Sequence, residues 1–360
     1  MSSSGLLQGV VIDGLSVAVP DNVVTNDYYM TEFGEGVEKF AKMTGVERRC
    51  IASHDQTASD LAYIAAERLF ATSLCRREEV DAIIFVTQTP DYVLPASACV
   101  LHSRFGLNTN CIAFDVNLGC SGFVYGLYLA ASLLKTGCEH VLLCGGDTNS
   151  KIVSTKDKSL AMLFGDGGFA VSIGKDDSSF PWPYSLETNG TGYKSIIVPS
   201  GAYRNRPGNS EARSFGEGII RSDFDLYMNG PDVFSFTISE VPSSIKSLMF
   251  TRGISVQDID YLVLHQANLF VLKQIAKATK FPMCNVPITI DRFGNTSVTS
   301  IPLTLCDLFD GKGDGMKHVL LSGFGVGLSW GVMDVHIDSR KCLPIEYTND
   351  VYTKGTLENA

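Results

Sequence analysis

The chain has 360 residues, 45% hydrophobic and 19% charged, which is enough for a sizeable buried core of about two domain-sized units. Its formal net charge of −10 and pI near 5.1 argue against nucleic-acid binding, which wants a basic face. The ten cysteines include no CxxC pair and no Cys/His ligand spacing, and no apolar run approaches a membrane span, so a cytoplasmic protein with no metal, disulfide scaffold or membrane partner is expected.

Residues 10–19 alternate as a strand and stop at the Pro20-Asp21-Asn22 turn. A helix is predicted over 29–43, a charged turn over 44–49, and an amphipathic helix over 57–73 capped by Ser59 or Thr57. The run AIIFV at 82–86 has the continuous apolar character of a strand buried on both faces. A helix over 96–105 and a strand over 112–116 follow.

That strand delivers DVNLGCSGFVYGLYLAASLLKTG, in which Cys120 lies between Gly119 and Gly122 at the start of an apolar helical run. Phe123, Leu127, Ala130, Ala131 and Leu134 recur at helical spacing, and Gly137 is the stop. At a helix N-terminus the unpaired N–H groups and the dipole lower a thiol pKa from about 8.5 toward ~3.5–7.5, making it a nucleophile. The same residues also describe a small buried core cysteine, and only an acid/base partner elsewhere separates the two readings.

Buried strands are predicted again at 140–146 and, after FGDGG, at 169–173. Alternating buried strands and helices imply an α/β fold. The second half repeats this grammar: Ile259-Asp260 before LVL matches Val80-Asp81 before IIFV, and HVLLSG at His318 matches HVLLCG at His140, at nearly the same offset. The expected division is a half over 1–180 carrying the cysteine, a duplicated half over 181–338, and a tail over 339–360. A polar, arginine-bearing surface loop, 201–218, lies between the halves.

If two related halves converge on one site, its acid/base groups lie at strand ends of the second half. His265 closes a predicted strand and opens HQAN before a helix over 269–279, and Asn295 lies in RFGNTS. Singly, each has a structural reading, a satisfied core histidine and a turn or N-cap asparagine.

GCSGF at Cys120, HQAN at His265, GNTS at Asn295, FGDG at Phe164, MNGPDVF from Met228 and GFGVGLSWG from Gly323 together resemble the β-ketoacyl-acyl-carrier-protein (ACP) synthase III family of the thiolase superfamily, in the family's order and to about residue 338. The resemblance implies a five-layer α-β-α-β-α sandwich, a homodimer and a ping-pong condensation. Cys120 would take an acyl group from acyl-CoA or acyl-ACP, and His265 and Asn295 would hold the enolate of malonyl-ACP that attacks it. It further implies oxyanion donors at the backbone of Cys120 and Val326, the latter standing where the family usually has Gly. It implies Asn268 at the pantetheine arm and no tightly bound cofactor.

Several positions depart from the family. Lys39 and Met43 stand where a Trp and an Arg hold CoA, and Phe270 where an Arg aids carrier docking, so the donor is expected on ACP or bound differently. Leu94 replaces a Phe that reaches the partner subunit's acyl pocket. Lys273 and Lys277, with Arg48 and Arg49, form a candidate docking face for acidic ACP; a solvated helix face is the bland alternative. Two other functions compete: an acyltransferase that passes acyl-Cys120 to an amine or alcohol without decarboxylation, and a non-catalytic partner subunit. The acyl group and the pathway, primary fatty-acid or specialised, stay open.

Overall fold

A computed structural model of the chain describes residues 4–206, 208–216 and 218–354. Residues 207 and 217 of the 201–218 loop, 355–360 of the tail and 1–3 of the first half lie outside the described residues. In chain order the strands of the two main sheets are β1 (Ser4–Leu7), β2 (Val10–Pro20), β3 (Ala82–Val86), β4 (Ile112–Val116), β5 (His140–Asp147), β6 (Gly167–Lys175), β7 (Trp182–Thr188), β8 (Tyr261–Leu264), β9 (Met316–Gly325), β10 (Ser329–Asp338) and β11 (Glu346–Thr348). Six of them form one sheet in the order β11-β2-β6-β5-β3-β4, and five the other, β1-β7-β10-β9-β8.

The main helices are α1 (Ala58–Ala71), α2 (Ser97–Phe105), α3 (Gly122–Lys135), α4 (Gly230–Arg252), α5 (Leu269–Thr279) and α6 (Ser300–Phe309). Helices α3 and α6 touch both sheets and form a central layer. Helices α1 and α2 cover the outer face of the first sheet, and α4, with α5 packed on it, covers that of the second. The result is an α-β-α-β-α sandwich with three apolar clusters, one between the sheets and one under each outer helical layer. The apolar residues spaced along α3 are all buried, as a helix enclosed between two sheets requires.

The sheets repeat one another. In β2-β6-β5-β3 and in β7-β10-β9-β8 the first two junctions are antiparallel and the third parallel. The repeat extends to single hydrogen bonds. The Asp81 N–H donates to the His140 carbonyl at 3.0 Å and the His140 N–H to the Asp81 carboxylate at 3.1 Å; Asp260 and His318 make the same exchange at 2.9 and 2.8 Å.

Some local expectations change. The stretch 29–43 is two short helices, Met30–Phe33 and Gly36–Thr44, because Gly34 takes the left-handed region at φ 50° and ends the first. Thr57, not Ser59, caps α1, and Asp60 completes a capping box. The tail segment is engaged, since β11 pairs in parallel with β2. Among the described residues no helix is long and apolar enough to cross a membrane.

Glycine sets the packing of α1 on the first sheet. A Cβ on Gly168 in β6 would lie 2.5 Å from the Ala62 nitrogen and 2.7 Å from the Leu61 Cβ. Gly168→Ala is therefore expected to lower stability in urea unfolding by about 1–3 kcal/mol. Gly190→Ala, where nothing lies within 4 Å, is expected to stay within about 0.5 kcal/mol. Equal effects of the two would show that this close approach is not a constraint.

Candidate active site

Strand β4 ends four residues before Cys120 and α3 begins two residues after it, so the thiol sits at the turn that joins them, only 8% exposed. Gly325, at the end of β9, presses against it from the other sheet. A Cβ there would lie 2.7 Å from the Cys120 Cβ and 3.0 Å from Sγ. This approach brings the Val326 N–H to the sulfur beside the N–H of Cys120 itself, and both favour its anion. Val326 is not among the positive-φ residues, so a side chain in place of the family's glycine causes no backbone strain there. The Ser297 hydroxyl is 3.9 Å from Sγ.

The helix-start thiol was expected to have a lowered pKa, and the structure corrects this. Burial pushes Cys120 up to about 12, against the hydrogen bond from Ser297, with the buried Asp147 carboxylate adding to the rise and the two backbone N–H groups opposing it. Enclosure between α3 and β9 removes the solvation that an exposed helix terminus would keep. The resting group is a thiol.

His265 directly follows β8 and is 1% exposed. Burial lowers it to about 3, with only the Ser297 backbone opposing, so the imidazole is neutral. Its Nδ1 is 2.7 Å from the Ser300 Oγ, and that hydroxyl donates to the Ser297 carbonyl at 2.8 Å. With the hydroxyl proton so placed, Nδ1–H donates to Ser300 and Nε2 keeps its lone pair. The Phe324 ring stands edge-on to the imidazole, with centroids 5.3 Å apart.

Asn295 is held by backbone from the first half. Its N–H donates to the Leu163 carbonyl at 2.9 Å and its carbonyl accepts from Gly165 N–H at 3.1 Å. A Cβ on Gly165 would lie 2.0 Å from the Phe293 oxygen, so only glycine permits this pairing. The Asn295 Oδ1 accepts from the Ser297 N–H at 3.0 Å, and among the described residues Nδ2 has no partner and is left as a donor. Ser297 itself is at φ 52°, a strained position for a residue with a Cβ.

Cys120, His265, Asn295, Asn268 and Val326 line one cleft, the concave setting in which small-molecule sites are built. Asn268 caps α5, its Oδ1 accepting from the Val271 N–H at 2.8 Å, which leaves its Nδ2 for a ligand. Leu94 is 77% exposed and does not line this cleft. The helix Gly36–Thr44 packs against α5, and there Phe270 stacks on the cleft-lining Phe234 with centroids 5.5 Å apart.

Of the four docking candidates, Arg48, Lys273 and Lys277 are exposed. Arg49 is not available. It is 1% exposed, donates to the Ala161 carbonyl and lies over the Tyr29 ring, so the pairing of two adjacent arginines on one face was wrong: consecutive residues in the strand Arg48–Cys50 point to opposite sides. Sequence reasoning also missed Ser300, which fixes the His265 tautomer, and Gln88 and Asn149, which line the cleft. Strand-end position was the available signal for Gln88, as it was for His265.

The chain matches family models described as 3-oxoacyl-[acyl-carrier-protein (ACP)] synthase III over residues 114–190 and 3-oxoacyl-[acyl-carrier-protein (ACP)] synthase III C terminal over residues 249–337. It is 35% identical over 322 residues to a β-ketoacyl-[acyl-carrier-protein] synthase III of Xanthomonas campestris pv. campestris, covering 89% of this chain and 96% of that protein. The enzyme of that name from Fusobacterium nucleatum subsp. nucleatum is 33% identical over 331 residues, covering 90% and 98%. The crystal structure of a 3-oxoacyl-(acyl-carrier protein) synthase from Burkholderia xenovorans superposes with a TM-score of 0.90 at 34% identity, covering 96% of this chain and 99% of that one. With a sandwich of two like sheets and relatives matched along nearly their whole length, the chain has the thiolase-like fold and belongs to the β-ketoacyl-acyl-carrier-protein synthase III family.

Proposed function

We propose that the chain is a decarboxylating condensing enzyme that joins an acyl group, held on Cys120, to the enolate of a malonyl thioester. The observation that carries this reading is the meeting in one cleft of an enclosed thiol, a neutral imidazole and an amide NH2, with two backbone N–H groups at the sulfur. In the first half-reaction the sulfur bonds to the thioester carbonyl carbon while its proton passes to the His265 Nε2 lone pair. The donor's C–S bond breaks and the departing thiolate takes that proton. The N–H groups of Cys120 and Val326 receive the oxyanion in between. Because thiol and imidazole both start neutral, no net charge enters the enclosed site at this step.

In the second half-reaction the malonyl C–C bond to the carboxylate breaks, CO2 leaves, and the electron pair remains as an enolate. Its oxygen takes hydrogen bonds from Asn295 Nδ2 and His265 Nε2. His265 donates there as its Nε2–H tautomer, in which Nε2 has taken a proton from water and Nδ1 has released its own to water between the half-reactions, while the Ser300 hydroxyl turns from the Ser297 carbonyl to donate to Nδ1. The carbanion attacks the acyl carbon, the C–S bond to Cys120 breaks, and the thiolate takes a proton from water. Transfer to an amine or alcohol would leave the Asn295 donor without a task.

On the same reading acyl-CoA or acyl-ACP and malonyl-ACP are the substrates, with Asn268 at the phosphopantetheine arm and no tightly bound cofactor. ACP docks on Arg48, Lys273 and Lys277, and the enzyme is a cytoplasmic homodimer in which Leu94 reaches toward the partner. The proposed halves are 1–180 and 181–338, followed by the 339–360 segment.

Intact-protein mass spectrometry with a panel of acyl thioesters is expected to give an adduct that is absent in Cys120→Ala. Asn295→Ala should still acylate yet lose condensation by about 10²–10³, and His265→Ala should lose condensation similarly while acylating more slowly. Equal loss of both steps in Asn295→Ala would sink this division. Charge reversal of Lys273 and Lys277 to Glu is expected to raise KM several-fold for ACP-borne but not CoA-borne substrates; unchanged ACP kinetics would remove the docking face.

The neutral His265 also predicts a pH dependence of stability. Its folded pKa of about 3 lies below the unfolded value of about 6.5, so the unfolded state binds more protons in this window and stability falls as pH drops through it. Between pH 7 and 5 the native protein should lose about 2 kcal/mol more than His265→Gln. Parallel pH curves for the two would show a charged or solvated imidazole.

A further inference from the structure

Two carboxamides share the cleft with the Cys120 sulfur and have no part in either half-reaction: those of Gln88 and Asn149. Among the described residues neither side chain has a hydrogen-bond partner. They stand at the C-terminal ends of adjacent parallel strands, β3 and β5, whose ladder reaches Val86 opposite Gly145. The buried Asp147 carboxylate fixes both ends, accepting from the Gln88 N–H at 2.7 Å and from the Thr87 hydroxyl at 3.2 Å. The Thr148 N–H donates to the Thr89 hydroxyl at 2.9 Å. Asn149 is itself only 5% exposed.

The Gln88 carboxamide lies beside the nucleophile. A Cβ on Gly119, the residue before Cys120, would come 2.1 Å from Gln88 Oε1 and 3.0 Å from Ser297 Oγ. Glycine there leaves the space the carboxamide occupies. The cleft lining also includes the apolar Ile152, Leu163, Ile196 and Leu226, and among the described residues neither Lys nor Arg contributes to it.

We propose that Gln88 and Asn149 form a polar acyl subsite that selects a hydroxyacyl thioester over the unsubstituted alkanoyl thioester of the same length. This rests on the reading of Cys120 as the acylated nucleophile. A carboxamide both donates and accepts, so a hydroxyl uses both capacities. A purely hydrocarbon chain strips water from both amides and returns nothing. A carboxylate-bearing acyl group would be buried without a cation to balance it. Pockets that hydrogen-bond a substrate hydroxyl discriminate by far more than the ~10–200-fold that a methylene provides.

The test uses the full chain with 3-hydroxybutyryl-CoA, butyryl-CoA and succinyl-CoA, following the rate of Cys120 adduct formation by intact-protein mass spectrometry. The native protein is expected to acylate at least about 10-fold faster with the 3-hydroxybutyryl than the butyryl donor, and slowest with succinyl. In Gln88→Met and, separately, Asn149→Leu that ratio should fall toward one. The ratio is read within each variant, so a general loss of folded protein cancels from it. An adduct on Cys120 with no preference for the hydroxyacyl donor overturns the subsite and leaves the nucleophile standing. Variants that slow all three donors equally also overturn it, by placing the amides on the pantetheine arm. No adduct from any donor overturns the nucleophile reading and the subsite with it.

Discussion

The site depends on a short stretch of backbone in which the two halves of the molecule pair directly. Asn295 exchanges main-chain hydrogen bonds with Leu163 and Gly165, and the missing side chain of Gly165 is what lets the Phe293 carbonyl come close. A second such contact, Gly325 against Cys120, closes the other side. Because both contacts are made by backbone on glycine, the spacing of thiol, imidazole and amide is set by the packing of two sheets. Ser300 and the Ser297 N–H then orient the imidazole and the amide within that frame.

Enclosure of this kind has an electrostatic cost that the fold turns to use. Burial holds both Cys120 and His265 in their neutral forms, so the resting site carries a thiol and a lone pair. Charge appears only while bonds are changing, and then it appears where fixed donors already point: the N–H groups of Cys120 and Val326, and the Asn295 Nδ2 whose partner oxygen is occupied by the Ser297 N–H. Preorganised donors in a dry site are worth more than the same groups in water, since nothing must reorient when the oxyanion forms.

Much of this was legible in the sequence because it rests on local pattern. The apolar run of β3, the capped helix α1, the spacing along α3 and the matched strings before β5 and β9 each specify an element without reference to its neighbours. The long helix α4 escaped notice because Pro242 lies inside it and its apolar residues do not concentrate on one face. Arg49 was misplaced because a pair of basic residues reads as surface until strand alternation sends one of them inward. The depressed thiol pKa failed for a similar reason: a helix start is visible in sequence, whereas the glycine that arrives from the far sheet to cover it is not. The same limit applies to Gln88 and Asn149, which reach one cleft only through the parallel ladder of β3 and β5.

The two sheets are also tied together at their rims. Strand β1, from the start of the first half, completes the sheet of the second, and β11, which follows the second half, completes the sheet of the first. Neither sheet is finished by its own half of the chain. The edge of the Cys120 half's sheet at β2 is covered by β11. The Cys120 half therefore takes its outermost strand from a segment more than 150 residues beyond its own last strand in that sheet, so each sheet is stabilised by chain from the other end of the molecule.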